Sequence, residues 1–459
     1  MHRPCRQGAL PPSPPIPRLI QTALFLRYPF PFVQFCQRHY GDLYRLKLAG
    51  FGDVVYVGDI DAIREVFAAD GRAAHAGEAN AILQHVTGQR SILTLDREEH
   101  LSERRLISPA LHGSALVRAQ SDIARIAAEE EASWPTDRPI AMRPALQRLT
   151  FRVITSLLFG REDENEMLRL LGLLEPVFKS ISLAVIPPAL RVQAGSLTPW
   201  GRFRQARTRL DDELLRLIAD RRAAPTGPDL LGLLVHGSDP KRPRSDEQAR
   251  DELITLLLAG HETSATALAW AFERLARHPQ ALATAHRATM DNDNRYLDAI
   301  AYETLRVRPV VMDVARVLDQ PFPIGGYELP AGTTVMPSIY LVHSDRRHHE
   351  EPSAFRPERF LETQPEPATW LPFGGGRRRC AGAAFAMLEI RTILQVVLAQ
   401  RTLRAPNVSS ERPVLRGITF APHNDAILEL PTLRRDEPKP NVDRRATSAR
   451  PQAAQSGSH

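Results

Sequence analysis

The chain has 459 residues, 43% of them hydrophobic, and a formal net charge of +6; a sizeable core is possible, and no repeat or composition break divides the stretch from about residue 30 to residue 430. Half of the charge excess lies in Arg434 to His459, with six Arg or Lys against three Asp or Glu, so the body is near neutral and carries no basic stripe interleaved with aromatics of the kind nucleic acids require. The three cysteines, Cys5, Cys36 and Cys380, exclude a disulfide framework and form no C-x-x-C pair for zinc, which suits a reducing compartment.

Pro11, Pro12, Pro14, Pro15 and Pro17 make residues 1–18 a stiff, extended lead-in. Leu24 to Phe35 is apolar, but Arg27, Pro29 and Pro31 interrupt it, and no run is read as approaching the roughly 18 residues of a membrane span. Leu43 to Leu48 alternates, Val54 to Val57 is rich in β-branched residues, and Asp59 suits the cap of a helix running to about Ala69, so a hairpin followed by a helix is expected. From about His100 to Leu275 helical periodicity dominates, notably at Ala119 to Ser133, Leu146 to Phe159 and Phe203 to Arg222, with loops at Ser182 to Trp200 and Ala223 to Arg244. A proline-free apolar helix is predicted from about Asp246 to Arg277. At Pro321 to Ser338, Gly325-Gly326 and Pro330-Ala331-Gly332 separate short strand runs, Phe322 to Ile324 and Thr333 to Met336. The expected architecture is mainly α with a small β lobe, one catalytic unit over residues 19–433, followed by a Pro-, Arg-, Ala- and Ser-rich tail, 434–459, that reads as disordered.

Four clusters along this frame carry chemistry. His100 and Arg104 sit one turn apart, as two donors reaching one carboxylate would, or as ordinary surface cations. Ala259-Gly260-His261-Glu262-Thr263-Ser264 places a glycine, an acid and alcohols inside the predicted apolar helix. Gly costs about 1 kcal/mol there against Ala, and an unpartnered buried polar group costs more. One reading lets a flat ligand or dioxygen lie on Gly260 while Glu262 and Thr263 order water and relay protons; the competing one is a hydroxyl bonded back to the carbonyl four residues earlier, with Glu262 simply solvated or paired. His261 is read as packing. Glu303 and Arg306 share a helix face, and Phe355-Arg356-Pro357-Glu358-Arg359-Phe360 follows about fifty residues later. Phe373-Gly374-Gly375-Gly376-Arg377-Arg378-Arg379-Cys380-Ala381-Gly382 frames one thiol with glycines, arginines and an aromatic before an apolar helical segment. That frame describes a thiolate iron ligand: glycines bring amides near sulfur, the helix N-terminus lowers the thiol pKa, and arginines meet acidic cofactor groups.

Phe373, Gly376, Arg378, Cys380 and Gly382 match all five fixed positions of the haem-binding signature F-x-x-G-x-R-x-C-x-G, so the chain resembles the cytochrome P450 family. The resemblance implies a helical lobe and an N-terminal β-rich lobe with haem b between them, its iron bound by Cys380. It also implies that Arg378, His100, Arg104 and Arg316 meet the propionates and that Phe373 packs by the sulfur. Ala259 and Gly260 would line the oxygen site, Glu262 and Thr263 would deliver protons, and Glu303, Arg306 and Arg359 would form a buried structural cluster. The implied reaction is insertion of one atom of dioxygen into a hydrophobic substrate, by hydroxylation or epoxidation. No flavin or iron–sulfur signature occurs, so electrons from NAD(P)H would arrive through a ferredoxin or flavodoxin with its reductase. Arg377, Arg379 and Arg105 are candidates for steering that partner. Apolar pocket walls are sought at Ala74 to Leu95, Leu256 to Ala259, Val310 to Val314 and Phe178 to Pro199; the uses of Asp313 and Arg308 stay open. A monomer in the cytoplasm is expected, with no transmembrane anchor and with peripheral membrane contact left open. A peroxide-using or rearranging haem-thiolate enzyme, or a haem-binding sensor, is the alternative; intact Glu262 and Thr263 weigh against both enzymatic rivals.

Overall fold

The computed structural model describes residues 10–160, 163–181, 191, 195–224, 229–237, 244–407 and 409–433. It is mainly helical, with a small β lobe formed by chain segments far apart in sequence. The five strands run, in spatial order, Leu43–Leu48, Gly52–Val57, Thr334–Pro337, Arg316–Leu318 and Ala74–His75. Only the Gly52–Val57 to Thr334–Pro337 pairing is parallel. The alternation explains why this sheet is covered on both sides. Leu43, Val55 and Val57 pack with Ile63 and Val66 of helix Ile60–Ala68, whereas Tyr44, Leu46, Val54 and Tyr56 pack with Phe30, Phe32 and Val33 of helix Pro29–Tyr40. Asp59 caps Ile60–Ala68 by accepting the Ala62 amide at 2.9 Å, as the sequence predicts. Phe322–Ile324 and Tyr327–Leu329 form a separate hairpin, turned by Gly325 and Gly326 at φ 55° and 84°.

The helical lobe is built around Asp246–Arg277, 32 residues and about 48 Å long. Its N-terminus is fixed by a capping box: Ser245 Oγ accepts the Gln248 amide and Gln248 Oε1 accepts that of Ser245. Acids occupy its first turn and arginines its last, complementing the helix dipole. It is buried on nearly every side, against Met142–Phe159 above all and against Pro199–Ala223, Leu230–His236, Asn294–Val307 and Ala383–Gln400. The periodic segments emerge a few residues longer than predicted, as Ser114–Ala132, Met142–Phe159 and Pro199–Ala223. The predicted loop at Ser182 to Trp200 falls largely, and the 434–459 tail wholly, outside the described residues; the loop predicted at Ala223 to Arg244 instead holds helix Leu230–His236, capped by Asp229 and buried through Leu230, Leu231, Leu234 and Val235. One expectation is corrected: Ala383–Gln400 is long and apolar enough to cross a membrane by length and composition, although 56% of it is buried in the fold. Its interior Glu389 and Arg391 hide that length from a reader looking for an uninterrupted run.

Candidate active site

The loop before Ala383–Gln400 folds back on itself, with the Cys380 amide donating to the Phe373 carbonyl at 2.9 Å. Gly374 and Gly376 both adopt φ 66°, the left-handed region open to glycine. Their neighbours differ from the expected ones. A Cβ on Gly375 would strike the Phe67 ring at 2.2 Å, and one on Gly376 would meet the Asp70 carboxylate at 2.2 Å; Gly382 is the glycine beside the sulfur, where an added Cβ would lie 4.0 Å from it. Cys380 is open to water yet lies deep within the fold, as at the floor of a recess. The predicted depression of its pKa is also corrected: burial raises the thiol pKa, and the Gly382 amide with the Arg104 and Arg379 charges offsets this only in part. Phe373 stands edge-on to Trp370, ring centres 5.8 Å apart.

Beside this loop gathers a basic rim. His100 on helix Arg97–Ile107 is buried, and no hydrogen bond reaches its ring among the described residues. Burial and then the charges of Arg378 and Arg104 lower its pKa to about 4. Arg378 donates to the carbonyls of Ile92 and Leu95 and to Asp96, the last at 2.5 Å. Arg316 holds Asp70 at 2.5 Å, and Arg104 donates to the Arg379 carbonyl at 2.6 Å. The four residues singled out for propionates are therefore neighbours, although three are engaged by protein groups. Asp70 and Asp96 were not foreseen. Asp96 also accepts the Gly77 and Glu78 amides at 2.9 Å; its position four residues before His100 was the available signal.

In the long helix, Thr263 Oγ1 donates to the Ala259 carbonyl at 2.6 Å, the back-bond named as the competing reading. The Glu262 carboxylate is held by Arg143 at 2.8 Å, Gln147 at 2.5 Å and Thr419 at 3.3 Å. Gly260 makes room for Ile154, whose carbons would lie 2.8 Å from a Cβ there; the expected role of admitting a flat ligand gives way to close packing of two helices. His261 stacks on Phe178 and meets Phe151 edge-on, and its Nδ1 donates to the Leu257 carbonyl. Arg308 lies over the Trp270 ring at 5.2 Å, and Asp313 accepts the Tyr56 hydroxyl at 2.9 Å. Burial raises the Asp313 pKa to about 6.

Behind the cysteine loop, Arg306 binds both oxygens of Glu303 at 2.7 and 2.8 Å with neither side chain exposed. Arg359 reaches Glu303 at 3.1 Å. Arg306 also collects the carbonyls of His343, Pro352 and Ala354. His343 Nε2 in turn accepts the Leu371 amide at 2.8 Å, two residues before Phe373.

A single cysteine in a recess, rimmed by arginines and an unpartnered buried histidine, on a fold of this kind defines a haem-thiolate protein. Comparison with known proteins agrees: the family model for Cytochrome P450 matches residues 11–428. "Putative cytochrome P450 135B1" of Mycobacterium tuberculosis is 40% identical over 438 residues, spanning 93% of this chain and 92% of that one. "Putative cytochrome P450 135A1" of the same species is 39% identical, covering 93% and 96%. Among solved structures, retinoic acid-bound cyanobacterial CYP120A1 superposes with a TM-score of 0.82 at 25% identity, over 92% of this chain and 99% of that one. The haem domain of a cytochrome P450DA mutant gives 0.79 at 23% identity, over 93% and 98%. The chain belongs to the cytochrome P450 family. Its cofactor is haem b with an axial cysteine thiolate, and its general activity is that of a monooxygenase.

Proposed function

We propose that this protein hydroxylates or epoxidises a hydrophobic organic substrate, using NAD(P)H electrons delivered by a ferredoxin or flavodoxin and its reductase. The observation that supports this best is the pairing of a recessed Cys380 with the adjoining rim of His100, Arg104, Arg316 and Arg378. Cys380 would hold the iron, and the rim would hold the propionates by charge-assisted bonds once Arg378 and Arg316 share or leave Asp96 and Asp70. When bound, thiolate-ligated haem supplies oxygen activation, because the thiolate pushes electron density that favours O–O cleavage. Metal binding takes the thiolate form, so the raised thiol pKa is overcome by proton release on ligation.

The chain's own part is to position and to move protons. Thr263, fixed by its bond to Ala259, keeps oxygen lone pairs free to accept from water. Glu262, its carboxylate held by Arg143 and Gln147, would relay protons by taking one from water and passing it on. The cluster of Glu303, Arg306 and Arg359 stiffens the approach to the cysteine loop. The test is the visible spectrum of the reduced protein under carbon monoxide. A far red-shifted Soret band that disappears in Cys380→Ala supports the assignment; its absence in haem-loaded protein means another ligand. Substrate-dependent NADH consumption with added redox partners separates a monooxygenase from a sensor.

A further inference from the structure

We propose that the face formed by helices Arg18–Arg27 and Pro29–Tyr40 docks the protein onto an anionic lipid surface. Arg18–Arg27 packs Leu24 and Phe25 partly inward yet leaves its other large apolar side chains outside while burying a glutamine. Gln21 is 0% exposed, its amide donating to the Pro14 and Ile16 carbonyls and its carbonyl accepting the Lys47 amide. Leu19, Ile20 and Leu26 are 75%, 50% and 62% exposed, and Tyr28 and Phe35 continue the surface into the next helix at 51% and 50%. A helix packed for water alone buries the leucines and exposes the glutamine. Phe51, also exposed, sits on the hairpin turn whose Ala49 amide is tied to Thr22 of the same helix at 2.9 Å. Clustered apolar exposure of this kind marks an interaction surface.

Charge decides the occupant. Residues 10–41 contain Arg18, Arg27 and Arg38 and no Asp or Glu; Arg18 is paired with Asp53, so Arg27 and Arg38 carry the positive charge of this face. Arg27 lies over the Tyr28 ring at 4.7 Å. The acids next to this face are already engaged, Asp53 by Arg18 and Asp42 by Arg347. Apolar side chains and aromatics set among basic ones complement negatively charged headgroups over an acyl boundary. A second copy of the chain would instead bring like charges together. At 10 residues the helix is too short to span a bilayer, so the protein would lie on it.

The test is co-sedimentation of the full-length, haem-loaded protein with phosphatidylcholine vesicles, with and without phosphatidylglycerol. Binding is expected to the mixed vesicles and to weaken as salt rises from about 20 mM to about 0.5 M. A Leu19→Glu, Leu26→Glu double variant should bind at least about tenfold more weakly with an unchanged reduced carbon monoxide spectrum. Wild-type protein that stays in solution with mixed vesicles at low salt overturns the proposal, and so does equal binding to vesicles lacking phosphatidylglycerol. A double variant that binds like wild type places the contact elsewhere and also overturns it. A wild-type dimer converted to monomer by the same substitutions would mean that this face joins two copies instead.

Discussion

Glu303 accepts four hydrogen bonds, from Arg306 twice, from the Arg356 amide and from Arg359. Removing it strands the fully buried Arg306 charge at a cost of about 3–5 kcal/mol, so Glu303→Ala should yield haem-poor or unfolded protein. Normal haem absorbance per protein in that variant would refute the cluster's role. Thr263→Ala removes only a proton-holding hydroxyl; NADH oxidation should persist while product falls by about tenfold or more and hydrogen peroxide takes up the balance. Glu389 lies 1% exposed on the cysteine helix, without a well-formed hydrogen bond to either oxygen. Burial raises its pKa from 4.5 to about 8, and the Ser264 hydroxyl counters this only in part. Below about 4.5 the carboxyl is protonated whether the chain is folded or not; between there and about 8 the folded protein keeps a proton that the unfolded chain releases, so stability falls as pH rises through that window. Melting temperature should therefore drop between about pH 5.5 and about pH 8.5, and Glu389→Gln should flatten the slope.

Asp251 and Glu252, near the start of the long helix, fasten the stretch that supplies carbonyls to Arg378. Asp251 accepts the Arg90 amide at 2.9 Å, Glu252 accepts that of Ile92 at 3.0 Å, and Thr255 donates to Ser91 at 2.6 Å. Gly88, at φ 89°, presses on Asp251 so closely that a Cβ would lie 2.0 Å from its carboxyl carbon. Asp251→Ala should accelerate hydrogen exchange of the Gly88–Ile92 amides by about tenfold or more, read by mass spectrometry on the haem-loaded protein. This tether marks where sequence reading ends. Cys380 with its arginines, Glu303 with Arg306, and Glu262 with Thr263 are legible because each group is written in adjacent residues or one helical turn. The partners of Gly88, Glu262 and Gly376, namely Asp251, Arg143 and Asp70, lie over a hundred residues away and follow from packing, which no local spacing encodes. The same limit led the glycines before Cys380 to be read as approaching the sulfur, when two of them make room for Phe67 and Asp70. Helix and hairpin positions were legible because periodicity and turn chemistry are local; Arg316–Leu318, three residues long, is too short to carry a period.

Outside residues 434–459 the charge is nearly balanced, so any electrostatic steering by the body must come from local concentration. Arg105, Arg377 and Arg379 are exposed beside the cysteine loop. Reversing Arg377 and Arg379 to Glu should slow electron delivery from an acidic ferredoxin at low salt by about tenfold and flatten its salt dependence, measured by stopped-flow reduction under carbon monoxide. The β lobe sets a different constraint, one of timing. Strand Gly52–Val57 pairs in parallel with Thr334–Pro337, roughly 280 residues later, which a ribosome adding about 5–20 residues per second takes about 14–56 s to make. Until then a Val-rich strand edge waits unpaired in the nascent chain, open to pairing with another copy. The order of synthesis thus makes the N-terminal hairpin the part of this protein that most needs a chaperone, although in the finished fold Val54, Val55, Tyr56 and Val57 are all buried.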